Sequence, residues 1–177
     1  MSMTESLSAS EPTPRLIIVM GVCGCGKSTI AEQLADVLNA VYLDADDYHP
    51  QESIDKMSRA EALTDKDRWP WLKNFSRAMA QQPGQVVGAC SALTRAYRTC
   101  LTEAAEEPVL FIYLDGSKTL IRQRMSAREN HFMPDSLLDS QFKTLEIPTI
   151  DEMALSIDIN AQSEQIVTDI LSKIGKL

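Results

Sequence analysis

A glycine-rich segment between an apolar run and an amphipathic stretch constrains this chain more than any other feature. Residues 21–28 read GVCGCGKS and have the pattern G-x-x-x-x-G-K-[ST]. Residues 15–20 (RLIIVM) before it predict a buried strand, and residues 28–38 after it predict a helix with its apolar residues on one face. Between a strand and a helix, this pattern predicts a loop that binds phosphate groups.

Each residue type in the loop has a chemical reason to be there. Glycines let the backbone curl so that N–H groups point at phosphate oxygens, and the helix N-terminus adds partial positive charge. Lys27 would reach the β and γ phosphates of a nucleotide, and the Ser28 hydroxyl would bind Mg²⁺. We therefore predict ATP and Mg²⁺ as ligands. The predicted nucleotide-binding residues of the loop are Gly21, Val22, Cys23, Gly24, Cys25, Gly26, Lys27, Ser28 and Thr29.

The rest of the chain alternates short apolar runs with longer helical stretches. Continuous apolar strands separated by helices favour a parallel sheet that is covered on both faces. We therefore predict an α/β P-loop NTPase fold with a central parallel sheet of about five strands. Further strands are expected at 41–44, 85–89, 109–114 and 157–159, and helices at 53–63, 71–82, 93–105, 118–128, 136–145 and 161–174.

Composition limits the number of domains and the kinds of partner. Residues 1–14 are rich in Ser, Thr, Glu and Pro, which predicts a disordered tail rather than a signal peptide, so a single domain is expected at 15–177. The net charge of −8 gives no overall attraction to nucleic acid or to an anionic membrane. No apolar run approaches the ~20 residues that span a bilayer. We expect a cytoplasmic protein with no nucleic-acid or membrane partner.

Kinases, GTPase switches and motor ATPases all use such a loop, so other residues must separate them. The N-K-x-D motif that reads guanine is missing, and residues 64–67 (TDKD) resemble it only faintly and precede the third strand. That strand ends in Ala89, Cys90 and Ser91 instead of the acidic residue of a motor ATPase. Asp115, after the fourth strand, is expected to cap the next helix. A small-molecule kinase is the class that these observations favour.

Acidic residues follow the second strand, where an open parallel sheet binds its ligands. Asp46 is our candidate for accepting the proton of the acceptor hydroxyl, and Asp44 for holding Mg²⁺ through water. A solvated acidic turn or a helix cap would have the same composition.

Arginines precede a predicted lid at about 123–140. A phosphoryl group in transfer carries spread negative charge, which guanidinium groups stabilise. Arg124 and Arg128 are four residues apart and would share one helical face, which favours a joint role in nucleotide binding. Arg128 lies nearest the polar break and is our candidate for catalysis. A solvated basic face is the alternative interpretation.

Several segments, in the same order along the chain, together resemble the gluconokinase family. Besides the loop, they are DADDYHP at 44–50, LTDKDRWPWL at 63–72, CSALTRAYR at 90–98 and the long segment 111–148. The resemblance implies a fold like that of shikimate and adenylate kinases, with a lid. It also implies transfer of the ATP γ phosphate to the 6-hydroxyl of D-gluconate, with Mg²⁺, in a protein that is expected to be a homodimer.

The resemblance further implies where an open-chain sugar acid would bind. A carboxylate needs a cation, and hydroxyls need polar groups. Other interpretations stay open: Arg68 can pair with a nearby aspartate, Arg98 can lie on a solvated face, and either histidine can cap a turn. A kinase for another hydroxy acid or polyol, or a regulatory module without catalysis, are the alternative functions. The candidate substrate-binding residues are Asp46, His49, Arg68, Ser91, Arg98 and His131.

Cysteines stand at two loop positions where members of that family often have serine. Cys25 lies close in sequence to Lys27 and to the start of a helix. We therefore hypothesise that its thiol has a lowered pKa and is sensitive to oxidation or alkylation.

Overall fold

The apolar runs of the sequence form the strands of one sheet. In the computed structural model, which describes residues 12–128 and 134–175, the strands are β1 (Leu16–Met20), β2 (Val41–Asp44), β3 (Val86–Ala89), β4 (Val109–Asp115) and β5 (Ala154–Asp158). Their order across the sheet is β2-β3-β1-β4-β5, and every neighbouring pair is parallel. The predicted five-stranded parallel sheet is confirmed.

Helices connect the strands and cover both faces of the sheet. They are α1 (Lys27–Leu38), α2 (Gln51–Ser58), α3 (Asp65–Gln81), α4 (Arg95–Ala105), α5 (Lys118–Ser126), α6 (Asp135–Thr144) and α7 (Ser163–Ile174), and a 3₁₀ turn spans Ala45–Tyr48. Alternate residues of β1 enter opposite halves of the core, because successive side chains of a strand point to opposite faces. Ile17 and Val19 pack with residues of α1 and α7, whereas Leu16 and Ile18 pack with residues of α3 and α4.

Helix α3 begins six residues earlier than the sequence analysis expected. Pro70 lies inside the helix. The helix begins with a capping box, in which the Thr64 backbone N–H donates to the Asp67 carboxylate at 2.9 Å. Residues 64–67, which faintly resemble a guanine-binding motif, are therefore a helix cap. Helix α2 also differs from its prediction, because it begins at Gln51 and ends at Ser58.

Two expectations near β4 and β5 were wrong. Strand β5 was expected at 157–159 but spans Ala154–Asp158, since its pairing with β4 runs in register from Phe111–Ala154 to Asp115–Asp158. Asp115 is the last residue of β4 and does not cap α5. The cap is Ser117, whose hydroxyl accepts a hydrogen bond from the Leu120 backbone N–H at 3.1 Å.

Two predicted segments extend beyond the described residues. Residues 1–11 of the predicted tail and residues 129–133 of the predicted lid, including His131, lie outside them. No helix in the described part of the chain is long and apolar enough to cross a membrane.

Candidate active site

The glycine loop joins β1 to α1, and its backbone has the curled shape that the motif predicts. The φ angles are 78° at Gly24 and 97° at Gly26, in the left-handed region that glycine adopts readily. A Cβ atom at Gly24 would lie 2.6 Å from Cγ of Met125, so a larger residue would also have to displace the Met125 side chain. Lys27 extends along the loop, and its Nζ donates to the Val22 carbonyl at 3.0 Å.

Ser28 and Asp44, the two predicted Mg²⁺ residues, lie together at the carboxyl edge of the sheet. The Ser28 hydroxyl is 3.2 Å from Oδ2 of Asp44. Asp44 also accepts a hydrogen bond from the Tyr42 hydroxyl at 3.1 Å and from the Asp46 backbone N–H at 2.9 Å. Burial and the neighbouring Asp44 raise the pKa of Tyr42 to about 12, so its phenol stays a donor.

These residues fit Mg²⁺ by the chemistry of their donor atoms. A hydroxyl and a carboxylate are the hard oxygen ligands that this ion prefers, and it usually takes only one or two carboxylates from the protein together with water and phosphate. Among the described residues no group of three or more His, Cys, Asp and Glu could hold a metal by itself. The pair is therefore suited to a metal that arrives with a nucleotide.

Asp46 lies beside this pair and is open to solvent. Its side chain is 84% exposed, and Oδ1 lies 3.8 Å from Nε2 of His49. Partial desolvation, together with the charge of Asp44, raises the pKa of the Asp46 carboxyl above its ordinary value. His49 is buried instead and stacks on Trp71 with 4.3 Å between the ring centres, and burial lowers its pKa. A neutral imidazole thus faces an accessible carboxylate.

Arg124 and Arg128 lie beside the phosphate loop. Both line a cavity of about 250 Å³ together with loop residues and with Thr29. The Arg124 guanidinium donates to the Ala161 carbonyl at 3.1 Å, which fixes its position. Residues 161–163 and Ile166 also line the cavity. The sequence analysis did not predict these residues as part of the site, because no local sequence pattern marks a loop that follows a weak edge strand.

Two of the predicted substrate residues have internal partners. The Ser91 carbonyl accepts a hydrogen bond from the Gly21 backbone N–H at 3.2 Å, which joins the loop after β3 to the start of the phosphate loop. Arg68 pairs with Asp65 at 3.0 Å and lies over the ring of Tyr97, 5.9 Å from its centre. Its pairing with a nearby aspartate was the alternative interpretation of the sequence.

Arg98, which the sequence analysis predicted to bind substrate, is buried in this structure. Only 2% of its side chain is exposed. Its guanidinium pairs with Glu152 at 2.7 Å and donates to the Ala92 carbonyl at 2.9 Å. Because the charge is already compensated inside the protein, these contacts favour a structural role for Arg98.

The hypothesis of a reactive Cys25 is also wrong for this structure. The residue is 2% exposed, and burial raises the pKa of its thiol despite the nearby Lys27. Burial likewise raises the pKa of Cys23. Both thiols therefore stay protonated and shielded, which is the opposite of a reactive cysteine.

The fold and the loop chemistry together define a P-loop phosphotransferase of the small-kinase class. The structure resembles shikimate kinase from Aquifex aeolicus with a TM-score of 0.61 at 16% identity, a likeness of fold alone. It also resembles a gluconokinase from Sinorhizobium meliloti 1021 with a TM-score of 0.84 at 39% identity, over 94% of both chains. An AAA domain family profile matches residues 16–148.

Sequence relatives identify the branch of this class. A probable gluconokinase from Xenopus tropicalis is 39% identical over 91% of this chain and 94% of its own length. The gluconokinase of Gluconobacter oxydans is 37% identical over 96% of both chains. The chain belongs to the gluconokinase family.

Proposed function

We propose that this protein transfers the γ phosphate of ATP to the 6-hydroxyl of D-gluconate, giving 6-phospho-D-gluconate and ADP. The observation that carries the proposal is the placement of Ser28, Asp44 and Asp46 beside the phosphate loop in a member of the gluconokinase family. A triphosphate chain and an acceptor hydroxyl can both reach this edge of the sheet.

On the nucleotide side, the backbone of residues 21–29 would surround the phosphates. Lys27 would leave the Val22 carbonyl to pair with the β and γ phosphates, since a charged partner binds it more strongly than a neutral one. Arg124 and Arg128, which line the adjoining cavity, would bind the nucleotide, with Arg128 stabilising the charge of the phosphoryl group in transfer.

Ser28 and Asp44 would hold Mg²⁺, the aspartate through water. When bound, the ion neutralises the charge of the phosphates. Asp44 is held in place by its bonds to Tyr42 and to the backbone, so its carboxylate needs little rearrangement.

On the acceptor side, Asp46 would take the proton of the 6-hydroxyl. A carboxylate with a raised pKa is a stronger base than an ordinary aspartate. We keep His49, Arg68, Ser91 and His131 as proposed substrate residues. The neutral His49 ring, with Nε2 facing Asp46, is suited to hydrogen bonding with a sugar hydroxyl.

The test is ADP formation from Mg-ATP with D-gluconate, compared with shikimate, glucose, glycerate and AMP. Turnover should be selective for gluconate and should fall at least about 100-fold in Lys27→Ala, since this lysine contacts the transferring group. Lys73→Ala, which removes an exposed lysine of α3, is the matched control and should be fully active. Turnover with another acceptor would assign a different substrate to the same fold. No turnover with any acceptor would favour a regulatory module without catalysis.

The finer expectations from the family resemblance stay predictions. A homodimer would appear in light scattering at about twice the monomer mass of 19.6 kDa. A cytoplasmic location would appear in cell fractionation.

A further inference from the structure

A side chain from outside the sequence motif contacts the phosphate loop. The Cys23 backbone N–H donates to Oε1 of Gln141 at 2.6 Å, across 118 residues of sequence. Gln141 lies in α6 and is not among the residues predicted from the sequence. This bond uses one of the amides of residues 21–29, the segment that is expected to surround the phosphates.

The chemistry of the two groups fixes the orientation of the glutamine side chain. A backbone N–H can only donate, so the carboxamide must present its oxygen to Cys23. A lysine or arginine at this position could not accept the bond, and an aliphatic residue would leave the amide without its partner. A half-buried amide without a partner destabilises the conformation that contains it.

Helix α6 holds Gln141 from a rigid frame. Leu138, one turn earlier on the same face, is fully buried in the core cluster that includes Cys23. Asp139 pairs with Lys118 at 2.9 Å and with Arg122 at 3.1 Å, which ties α6 to α5. The carboxamide therefore reaches the loop from a fixed position.

The C-terminal end of α6 is tied to the acceptor side of the site. The Glu146 backbone N–H donates to the Leu93 carbonyl at 2.8 Å, and its carboxylate accepts from the Arg95 backbone N–H at 2.7 Å. The same loop after β3 binds Gly21 through the Ser91 carbonyl. The phosphate loop is thus held at Gly21 by the Ser91 carbonyl and at Cys23 by the Gln141 side chain.

We propose that Gln141 is a positioning residue that keeps the phosphate loop in its nucleotide-binding shape through the Cys23 amide. The proposal deepens the proposed function, because it concerns the nucleotide half of the same site. A loop that is already ordered loses less conformational entropy when phosphate binds, which increases affinity. Gln141 acts through the loop and does not touch the reacting atoms.

The test measures binding of a non-hydrolysable ATP analogue with Mg²⁺ by titration calorimetry, without gluconate. Gln141→Leu keeps the size of the side chain and removes the acceptor, so affinity should fall about 3- to 10-fold, the usual effect of one hydrogen bond. KM for ATP should rise by a similar factor while KM for gluconate stays unchanged. Gln165→Leu is the matched control, because Gln165 is exposed and its amide donates to Asp169 within α7.

A second variant separates positioning from simple loss of stability. Gln141→Glu keeps an oxygen for Cys23 but adds a negative charge near the triphosphate, so analogue binding should be weak at neutral pH. It should recover as the pH falls and the carboxyl becomes neutral, since the protonated acid again offers an uncharged oxygen. A general folding defect would not recover in this way.

Unchanged binding in Gln141→Leu would overturn the proposal. Tighter binding would also overturn it, because Gln141 would then compete with phosphate for the loop. If the leucine variant does not fold, as judged by circular dichroism, the pH profile of the glutamate variant decides alone. If the unaltered protein binds the analogue but does not phosphorylate gluconate, the proposed function fails while this inference stands.

Discussion

Two aspartates that are neighbours in sequence have different surroundings. Asp44 accepts hydrogen bonds from Ser28, Tyr42 and a backbone N–H, which hold its carboxylate in place. The Asp46 carboxylate lies 3.8 Å from His49, and partial desolvation and the charge of Asp44 raise its pKa. Asp44 is therefore suited to the proposed role of holding a cation, and Asp46 to the proposed role of an accessible base.

Replacing the base should affect turnover more than binding. In Asp46→Asn we expect kcat with gluconate to fall about 100- to 1,000-fold, because general base catalysis contributes on this order. KM for ATP should change little. Asp47→Asn is the matched control, since Asp47 is an exposed neighbour in the same turn and should leave kcat within about twofold. A loss of activity confined to the Asp47 variant would contradict the assignment.

The raised pKa of Asp46 predicts the acid limb of the pH profile. The carboxylate is the active form, so kcat/KM for gluconate should fall as the pH drops through a pKa above that of an ordinary aspartate. The effect of this charge on stability is unfavourable. Because the folded-state pKa is raised, folding favours the neutral carboxyl, and its ionisation lowers the free energy of unfolding. Asp46→Asn should therefore not lower the melting temperature at neutral pH. An acid limb at the pKa of an ordinary aspartate would contradict the assignment of the base.

At the scale of elements, helix α3 shows how a local cap can override a proline. Pro70 lacks the N–H that would bond four residues back, yet the helix continues through it. The capping box of Thr64 and Asp67 begins the helix, and Lys56 of α2 pairs with Asp67 at 2.9 Å. Trp71, Leu72 and further α3 residues then bury their side chains under the sheet. Packing and capping together outweigh the missing hydrogen bond.

Removing the cap should destabilise the protein without changing its active site. In Thr64→Ala we expect the free energy of unfolding to fall by about 1 kcal/mol, measured by urea denaturation. The control is Thr168→Ala, which removes an exposed hydroxyl inside α7 and should change stability by less than about 0.5 kcal/mol. Equal effects in both variants would argue against the cap.

The contribution of Asp67 should disappear in acid. Hydrogen bonds from the Thr64 backbone, from Lys56 and from the Thr64 hydroxyl lower the pKa of Asp67 to about 2. Because its folded-state pKa is lowered, the ionised carboxylate stabilises the fold at pH values above the ordinary carboxyl pKa. This contribution is lost as the pH falls toward 2. Asp67→Asn should therefore be less stable than the unaltered chain at neutral pH, and this difference should shrink in acid. A difference that is the same at all pH values would contradict the role of its charge.

At the scale of the whole molecule, one buried ion pair joins distant parts of the chain. Arg98 in α4 pairs with Glu152, 54 residues later, just before β5. Burial alone would raise the pKa of Glu152, but hydrogen bonds from Arg98 and the Thr149 backbone lower it. The pair holds the segment between α6 and β5 against α4.

Breaking this pair should cost stability and leave substrate binding intact. In Arg98→Met we expect the free energy of unfolding to fall by about 3 kcal/mol, because Glu152 would be left without its cation. KM for gluconate, measured well below the melting temperature, should stay unchanged. Arg77→Met removes an exposed arginine of α3 and is the matched control. A rise in KM without loss of stability would restore Arg98 to the substrate site.

The sequence by itself determined the sheet, the phosphate loop and the neighbouring acidic turn. These features are local, since strand and helix periods, glycine spacing and the Lys27–Ser28 pair all lie within a few adjacent residues. The order of the elements also placed Asp44 and Asp46 at the carboxyl edge of the sheet, because parallel strands end on one side.

Only the tertiary structure decided what distant residues do to one another. Arg98 looked like a cation for substrate until Glu152 was found beside it, and Cys25 looked reactive until the fold buried it. No sequence pattern marked Gln141 as part of the site, because its partner Cys23 lies 118 residues away. Pairing, burial and pKa depend on contacts between segments that the chain brings together only when it folds, and no local pattern contains them.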